Sequence, residues 1–159
     1  MTSLEIKHAL MWYFRFKRQW LCATECLCND VMAITDKDII EVEIKINKYD
    51  LWKGEAKKDK HEKFRNPFYS NRLSSEANRF YICVPRDLIE EAEKWVEATN
   101  SKYGIIQCHP DLATGFNIFI SKTARTLHDK TTEGLKESIM MRVCSENIGL
   151  IETILERKS

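Results

Sequence analysis

In the segment 39–46, IIEVEIKI, apolar and charged residues alternate from Ile40 to Ile46. Successive side chains of a β-strand point to opposite faces, so this pattern predicts a strand with one aliphatic face and one face carrying Glu41, Glu43 and Lys45. Packing alone does not explain the charged face, because buried charges are costly unless they are paired or bind a metal. We therefore expect this face to line a cleft; the alternative is a solvated sheet face with cross-strand ion pairs.

Three predicted elements precede this strand. Apolar residues recur at helical spacing from 4 to 20 and predict a first helix. The segments 20–28 and 31–35 are short and either alternating or apolar, which predicts two strands joined by a turn. Asp30 therefore stands at the head of the strand that comes immediately before residues 39–46.

The elements that follow alternate between strand and helix. The segment 49–72 is polar and basic, and a compact apolar strand is predicted at 80–84. An amphipathic helix then leads to a strand at 104–108, and a hairpin-like stretch at 116–120 leads to a final helix capped by Thr132. This order predicts an α/β fold with a central mixed β-sheet flanked by helices.

Length, composition and charge narrow the function classes. The chain has 159 residues, 43% hydrophobic and 31% charged, as expected for a single globular domain. Its net charge of +1 gives no overall indication of nucleic-acid binding, so only a local cluster could indicate it. The first residues do not have the pattern of a secretory signal, and no apolar run reaches the roughly 18 residues of a membrane span. We therefore expect a cytoplasmic protein with reduced cysteines and no membrane partner.

Asp30 and the triplet Glu43-Ile44-Lys45 resemble the PD-(D/E)XK nuclease superfamily, in which an aspartate precedes a strand bearing (Asp/Glu)-x-Lys. The resemblance continues through residues 43–50, the lysine-rich helix predicted after them, 78–85 (NRFYICVP) and 103–106 (YGII), as in small DNA-repair and resolvase-type members.

The likeness covers residues 4–110 of a single domain spanning 1–159. It implies a restriction-endonuclease-like core in that part, with residues 111–159 as a C-terminal β/α extension.

This resemblance implies a metal-dependent endonuclease that hydrolyses phosphodiester bonds in DNA, in repair, recombination or phage DNA processing. Asp30 and Glu43 would hold Mg²⁺, for which Mn²⁺ would substitute, and Lys45 would position the attacking water. An acidic residue on helix one often joins such sites, and Glu5 is the candidate; Glu41 adds one further acid to the catalytic face. The alternative is a catalytically inactive nucleic-acid-binding or protein-interaction module on the same fold.

Positive charge clusters directly after the predicted catalytic strand, where it could contact DNA phosphates. The aromatic residues of this region could stack on bases or anchor a solvated helix in the core; they are Trp52, Phe64, Phe68 and Tyr69. The predicted phosphate-contacting residues are Lys53, Lys57, Lys58, Lys60 and Lys63.

Two further patterns leave alternatives open. Cys22, Cys26 and Cys28 share strand parity and are either buried thiols or a metal site, and their spacing favours buried thiols. The final helix has an apolar stripe that belongs either to the core or to a homodimer interface. Its residues are Leu135, Ile139, Val143, Ile148 and Leu155.

Overall fold

Among the residues that the structure describes, six strands pair in sequence order into one sheet. They are β1 (Leu21–Cys26), β2 (Asn29–Ile34), β3 (Ile39–Ile44), β4 (Arg79–Pro85), β5 (Gly104–Asp111) and β6 (Gly115–Lys122). The pairs β1–β2, β2–β3 and β5–β6 are antiparallel, whereas β3–β4 and β4–β5 are parallel. The predicted α/β class with a central mixed sheet flanked by helices is confirmed. The computed structural model describes residues 1–65, 77–111, 115–129 and 133–157.

Within these ranges four α-helices accompany the sheet: α1 (Ser3–Trp12), α2 (Lys60–Arg65), α3 (Ile89–Thr99) and α4 (Glu133–Glu156). Shorter helical turns are π-helical at Tyr13–Lys17 and Asp50–Gly54, and 3₁₀ at Glu55–Lys57 and Arg86–Leu88. Across the described ranges, no helix is both long and apolar enough to cross a membrane.

The first helix is shorter than its apolar pattern predicts. Its α-helical part ends at Trp12, the π-helical turn carries the chain to Lys17, and Gln19 has a φ of 57°. A left-handed residue cannot continue a right-handed helix, so the chain turns there into β1.

The sheet separates two large apolar clusters. On one face Val42 and Ile44 of β3 pack with α1 residues such as Leu10. On the other face Ile82 of β4 packs with Trp95 of α3. The side chains of β3 alternate, so the charged residues of β3 lie on the face that α3 covers.

The segment after residue 110 is built into the same sheet. β6 pairs antiparallel with β5, and α4 contacts β1 and β2. The predicted C-terminal β/α segment therefore has the expected element types, although the cap predicted at Thr132 lies outside the described residues.

Candidate functional site

The charged face of β3 is buried. Glu41 and Glu43 are 0% and 1% exposed, because the segment from Asp50 to Arg65 folds over them. Both sequence-based interpretations of this face, an open cleft and a solvated surface, are wrong about its exposure. Alternation along the strand correctly placed these side chains on one face, but the element that covers them comes from elsewhere in the chain.

Lys60 at the start of α2 is the central cation of this buried cluster. Its Nζ lies 2.9 Å from Glu43 Oε1 and 3.3 Å from Glu55 Oε1, and it also contacts Glu41 Oε1. Burial by itself would lower the pKa of Lys60, but the charges of the three glutamates outweigh burial and raise the pKa above its ordinary value. Lys60 was expected to contact phosphate at the surface; that placement is wrong, because its side chain is 9% exposed and paired with carboxylates.

Glu55 is the second centre of the cluster. Its Oε2 lies 2.9 Å from Lys45 Nζ and 3.0 Å from Lys58 Nζ, and its Oε1 lies 2.9 Å from His61 Nε2. Burial would raise the pKa of Glu55, yet the hydrogen bond from His61 and the neighbouring ammonium groups hold the pKa well below its ordinary value. Glu55 is therefore a carboxylate at neutral pH.

A buried chain of hydrogen bonds runs from Glu55 through His61 to Tyr103. His61 Nδ1 lies 2.7 Å from Tyr103 Oη, while the other ring nitrogen faces Glu55. A neutral imidazole fits both partners if Nε2–H donates to the carboxylate and the tyrosine hydroxyl donates to Nδ1. Tyr103 thereby orients His61, and His61 orients Glu55.

Asp30 lies beside the end of β3, which Lys45 follows directly. Asp30 Oδ2 accepts a hydrogen bond of 2.9 Å from the backbone N–H of Ile44, and Asp30 Oδ1 lies 3.2 Å from Lys7 Nζ. Lys45 Nζ lies 3.4 Å from Glu43 Oε2. Burial would lower the pKa of Lys45, but Glu55, Glu43 and Asp30 together raise it. Asp30 is thus hydrogen-bonded to the backbone of the Glu43-Ile44-Lys45 triplet, and its charge contributes to the raised pKa of Lys45.

Glu5 does not join these residues. Its side chain accepts a hydrogen bond of 2.6 Å from the backbone N–H of Thr2, and its own N–H donates to Thr2 Oγ1, which forms a capping box at the start of α1. α1 packs on the sheet face opposite to Glu43. In this structure Glu5 therefore caps α1 and is not brought together with Glu43 and Lys45.

The remaining lysines of the basic segment differ in exposure. Lys53 and Lys57 are exposed, whereas Lys63 and Lys58 are half-buried, and Lys58 lies 2.6 Å from Glu43 Oε2. Lys53, Lys57 and the partly exposed Lys58 and Lys63 are the lysines of this set that a phosphate can approach.

The aromatic residues of this segment are anchored. Trp52 Nε1 donates to Glu91 Oε2 at 3.0 Å, and both Trp52 and Phe64 pack against the cluster around Trp95. These contacts favour the anchoring interpretation for Trp52 and Phe64. Phe68 and Tyr69 lie outside the described residues.

Three residues of the buried cluster were missed by sequence reasoning: Glu55, His61 and Tyr103. Glu55 stands among exposed lysines, and no periodicity marks it as buried. His61 is one of four histidines in the sequence and belongs to no recognisable motif, and Tyr103 lies 42 positions further along the chain. The only signal in the sequence is that Glu55, Lys58 and His61 recur every three residues.

Donor chemistry at this site suits a hard cation. In the described parts of the chain, no group of three or more His, Cys, Asp or Glu side chains is arranged to hold a metal. A Mg²⁺ ion in phosphoryl chemistry, however, is commonly held by one or two carboxylates together with substrate phosphate and water. Asp30 and Glu43 supply two carboxylates, so the residues present fit such an ion.

The cysteines form no disulfide. All six are free thiols; Cys22 and Cys26 are buried and Cys28 is exposed. Burial raises the pKa of Cys22 to about 11, which keeps its thiol protonated at neutral pH. This environment favours buried thiols over a metal site at these positions.

Comparison with known proteins identifies a similar fold. No protein-family model matches the chain, and no curated protein is similar to it in sequence. A solved structure of a protein of unknown function from Silicibacter pomeroyi aligns with a TM-score of 0.61 at 12% identity, covering 100% of this chain and 94% of the other. At that identity the match concerns the fold alone.

Proposed function

We propose that this chain is a metal-dependent phosphodiesterase of the PD-(D/E)XK kind and that its substrate is DNA. The observation that carries the proposal is the 2.9 Å hydrogen bond from Ile44 N–H to Asp30, which joins the predicted metal-binding aspartate to the Glu43-Ile44-Lys45 triplet. The order of elements around it supports a restriction-endonuclease-like core, because the aspartate precedes the strand that bears the triplet.

Asp30 and Glu43 would hold a divalent cation. When bound, such a cation neutralises charge on the phosphate and lowers the pKa of a coordinated water. Glu43 Oε2 is at present paired with Lys58, whose side chain is 36% exposed. Lys58 is therefore the ammonium group that can move into solvent and leave this oxygen to a cation. Lys60, which is buried, keeps the other oxygen of Glu43.

Lys45 would position the attacking water and stabilise the developing negative charge. Its pKa is raised by Glu55, Glu43 and Asp30 against the opposing effect of burial, so Lys45 remains an ammonium group at neutral pH. Glu55 fixes the position of Lys45, since the pair lies at 2.9 Å and Glu55 is itself held by His61. Lys45 would then act as a hydrogen-bond donor, not a proton acceptor, beside Glu43.

DNA would approach from the side of the basic segment. The exposed Lys53 and Lys57, with the partly exposed Lys58 and Lys63, lie on the segment that covers the catalytic face. Positive charge at this position supports contact with phosphates, which would make binding salt-dependent.

The experiment that tests this function uses the purified chain with plasmid, single-stranded and branched DNA. Each substrate is incubated with Mg²⁺, with Mn²⁺ and with a chelator. Cleavage that requires the cation and is abolished by Glu43→Gln supports the proposal. Glu91→Gln is the matched control, because Glu91 also pairs with lysines but lies on α3 outside the buried cluster, with its side chain 21% exposed. If no substrate is cut under any of these conditions, the enzymatic proposal is wrong.

One observation favours a second candidate, a non-cleaving nucleic-acid-binding or protein-interaction module. Glu43 is surrounded by three ammonium groups, those of Lys45, Lys58 and Lys60, which already neutralise it without a metal. DNA binding that is insensitive to divalent cations, with no product from any of the substrates, would support this module.

A further inference from the structure

The long helix α4 is attached to the body through one face. Leu135 and Ile139 are 4% and 0% exposed. Arg142 Nε donates to the backbone oxygen of Thr24 at 3.0 Å, and Glu146 Oε1 accepts from the backbone N–H of Thr24 at 3.2 Å. These side chains satisfy backbone groups of the edge strand β1, so this face of α4 already has its partner.

A second apolar stripe runs along the opposite side of α4. Its members are spaced 3, 4, 3 and 4 residues apart, which is the a/d pattern of a coiled coil. They are exposed: Met141 71%, Ile148 59%, Ile151 58% and Leu155 59%, together with the exposed Cys144. We call these five residues the α4 seam. The stripe expected from the sequence combined residues of both faces, because Leu135 and Ile139 belong to the core and Ile148 and Leu155 to the seam.

We propose that the α4 seam is a homodimer interface in which α4 of a second copy packs antiparallel. From Cys144 to Leu155 the spacing is 4, 3 and 4 residues and therefore reads the same in both directions. In an antiparallel pair, Ile148 meets Ile151 of the second copy, and Cys144 meets Leu155 of the second copy. The seam is thus complementary to itself, and none of its five positions carries a charge.

The exposed area is of the size that a dimer needs. Met140 and Ile154 flank the seam and are 54% and 53% exposed. If these two and the five seam residues each bury roughly 100 Å², each copy contributes about 700 Å², close to the ~800 Å² per partner of a standard interface. A monomeric protein rarely leaves a contiguous apolar patch of this size in water.

The orientation follows from the residue types. Isoleucine occupies both an a position, Ile148, and a d position, Ile151, a combination that disfavours a parallel two-stranded coil. Antiparallel packing pairs these two side chains with each other across the interface. It also places Glu152 beside Asn147 of the second copy, so that like charges do not meet.

The test measures the mass of the full chain in solution by light scattering and sedimentation. The parent protein should be a dimer, and Ile148→Glu should be a monomer with an unchanged far-UV circular dichroism spectrum. Leu150→Glu is the matched control, because Leu150 is 62% exposed on the same helix but points about 160° away from Ile148 at 100° per residue. A monomeric parent, or equal dissociation in both variants, overturns the proposal.

A disulfide tests the orientation. In a Cys28→Ser background, Leu155→Cys treated with copper phenanthroline should form a covalent dimer through Cys144 of the second copy. Adding Cys144→Ser should abolish it. A covalent dimer that persists without Cys144 would join the two introduced cysteines and would overturn the antiparallel arrangement. The dimer and the phosphodiesterase are independent, since neither set of experiments depends on the outcome of the other.

Discussion

Lys45 Nζ lies 2.9 Å from Glu55 Oε2, so a lysine that follows β3 directly is held by a glutamate ten positions later. Lys58 approaches the same oxygen at 3.0 Å, and both lysines also contact Glu43. The two lysines therefore share their carboxylates but differ in exposure, 13% against 36%. This pair permits a controlled test of which ammonium group is catalytic.

The first prediction compares Lys45→Met with Lys58→Met. Lys45→Met should lower kcat for DNA cleavage by about 10²–10³, the usual effect of removing one preorganised group that stabilises transition-state charge. Lys58→Met should have a much smaller effect on kcat, because Lys58 leaves the carboxylate when the cation binds. Single-turnover cleavage, at a temperature where both variants are folded, is the measurement. Equal losses in the two variants would contradict the role given to Lys45.

The second prediction concerns Glu55 and stability. Glu55→Gln leaves Lys45 and Lys60 short of a counter-charge in the interior and should reduce the free energy of unfolding by about 3–5 kcal/mol. The measurement is urea denaturation at neutral pH. Glu133→Gln, which breaks an exposed pair with Lys136, should change stability little. A small loss at Glu55 would show that the cluster does not depend on this carboxylate.

The third prediction is a pH dependence caused by Glu41. Burial raises the pKa of Glu41 to about 7 despite the charge of Lys60, and its Oε2 has no hydrogen-bond partner among the described residues. The folded state therefore binds this proton more tightly than the unfolded state, whose pKa is near 4.5. The contribution of Glu41 to stability is constant below about pH 4.5, falls as the pH rises to about 7, and is constant again above that.

Glu41→Gln isolates this effect. The unfolding free energy of the variant minus that of the parent should increase as the pH rises from 4.5 to 7, by on the order of 3 kcal/mol at most. Glu55 does not mask it, because its pKa is lowered and it titrates below that window. A difference that stays constant with pH would show that Glu41 is ionised throughout.

The fourth prediction concerns the turn between β1 and β2. Leu27 and Cys28 have φ values of 53° and 65°, which are strained for residues with a Cβ. Cys26 pairs with Asn29, so this is a two-residue hairpin turn, for which Asn-Gly is preferred. Replacing Leu27-Cys28 by Asn-Gly should raise the free energy of unfolding by about 1–2 kcal/mol.

The control for this turn is the connection between β2 and β3. The same replacement at Asp36-Lys37, where φ is not positive, should not stabilise the protein. Thermal and urea denaturation of both variants test the prediction. A destabilised Leu27-Cys28 variant would mean that the contacts of these side chains outweigh the backbone strain.

The fifth prediction concerns Gly104 at the start of β5. A Cβ on this residue would overlap the ring of Tyr81 and would lie 2.7 Å from the backbone nitrogen of Ala124. Gly104→Ala should therefore destabilise the fold by about 1–3 kcal/mol, the usual cost of overpacking. Gly149→Ala on α4 has nothing within 4 Å and should stabilise by about 0.5–1 kcal/mol, since alanine is the better helix former. Urea denaturation measures both variants, and a neutral Gly104→Ala would show that Tyr81 can move aside.

Local patterns in the sequence determined the elements of this protein and the sides of its strands. The alternation in 39–46 was sufficient to place Glu41 and Glu43 on the face opposite Val42, because that alternation is a property of neighbouring residues. The structure has β3 over Ile39–Ile44 with this arrangement. The position of Asp30 beside the triplet also follows from short-range geometry, because β2 and β3 are consecutive antiparallel strands.

What covers the charged face depends on packing between distant parts of the chain. A segment whose composition is typical of a solvated surface brings Lys60 and His61 onto the charged face. Tyr103, which follows the C-terminal end of α3, contacts His61 there. Burial depends on which distant segment packs over a side chain, and periodicity within a strand carries no information about that segment. Local pattern was therefore enough to predict the strand, the triplet and the faces on which their side chains lie. Packing between distant segments is what pairs these charges in the interior.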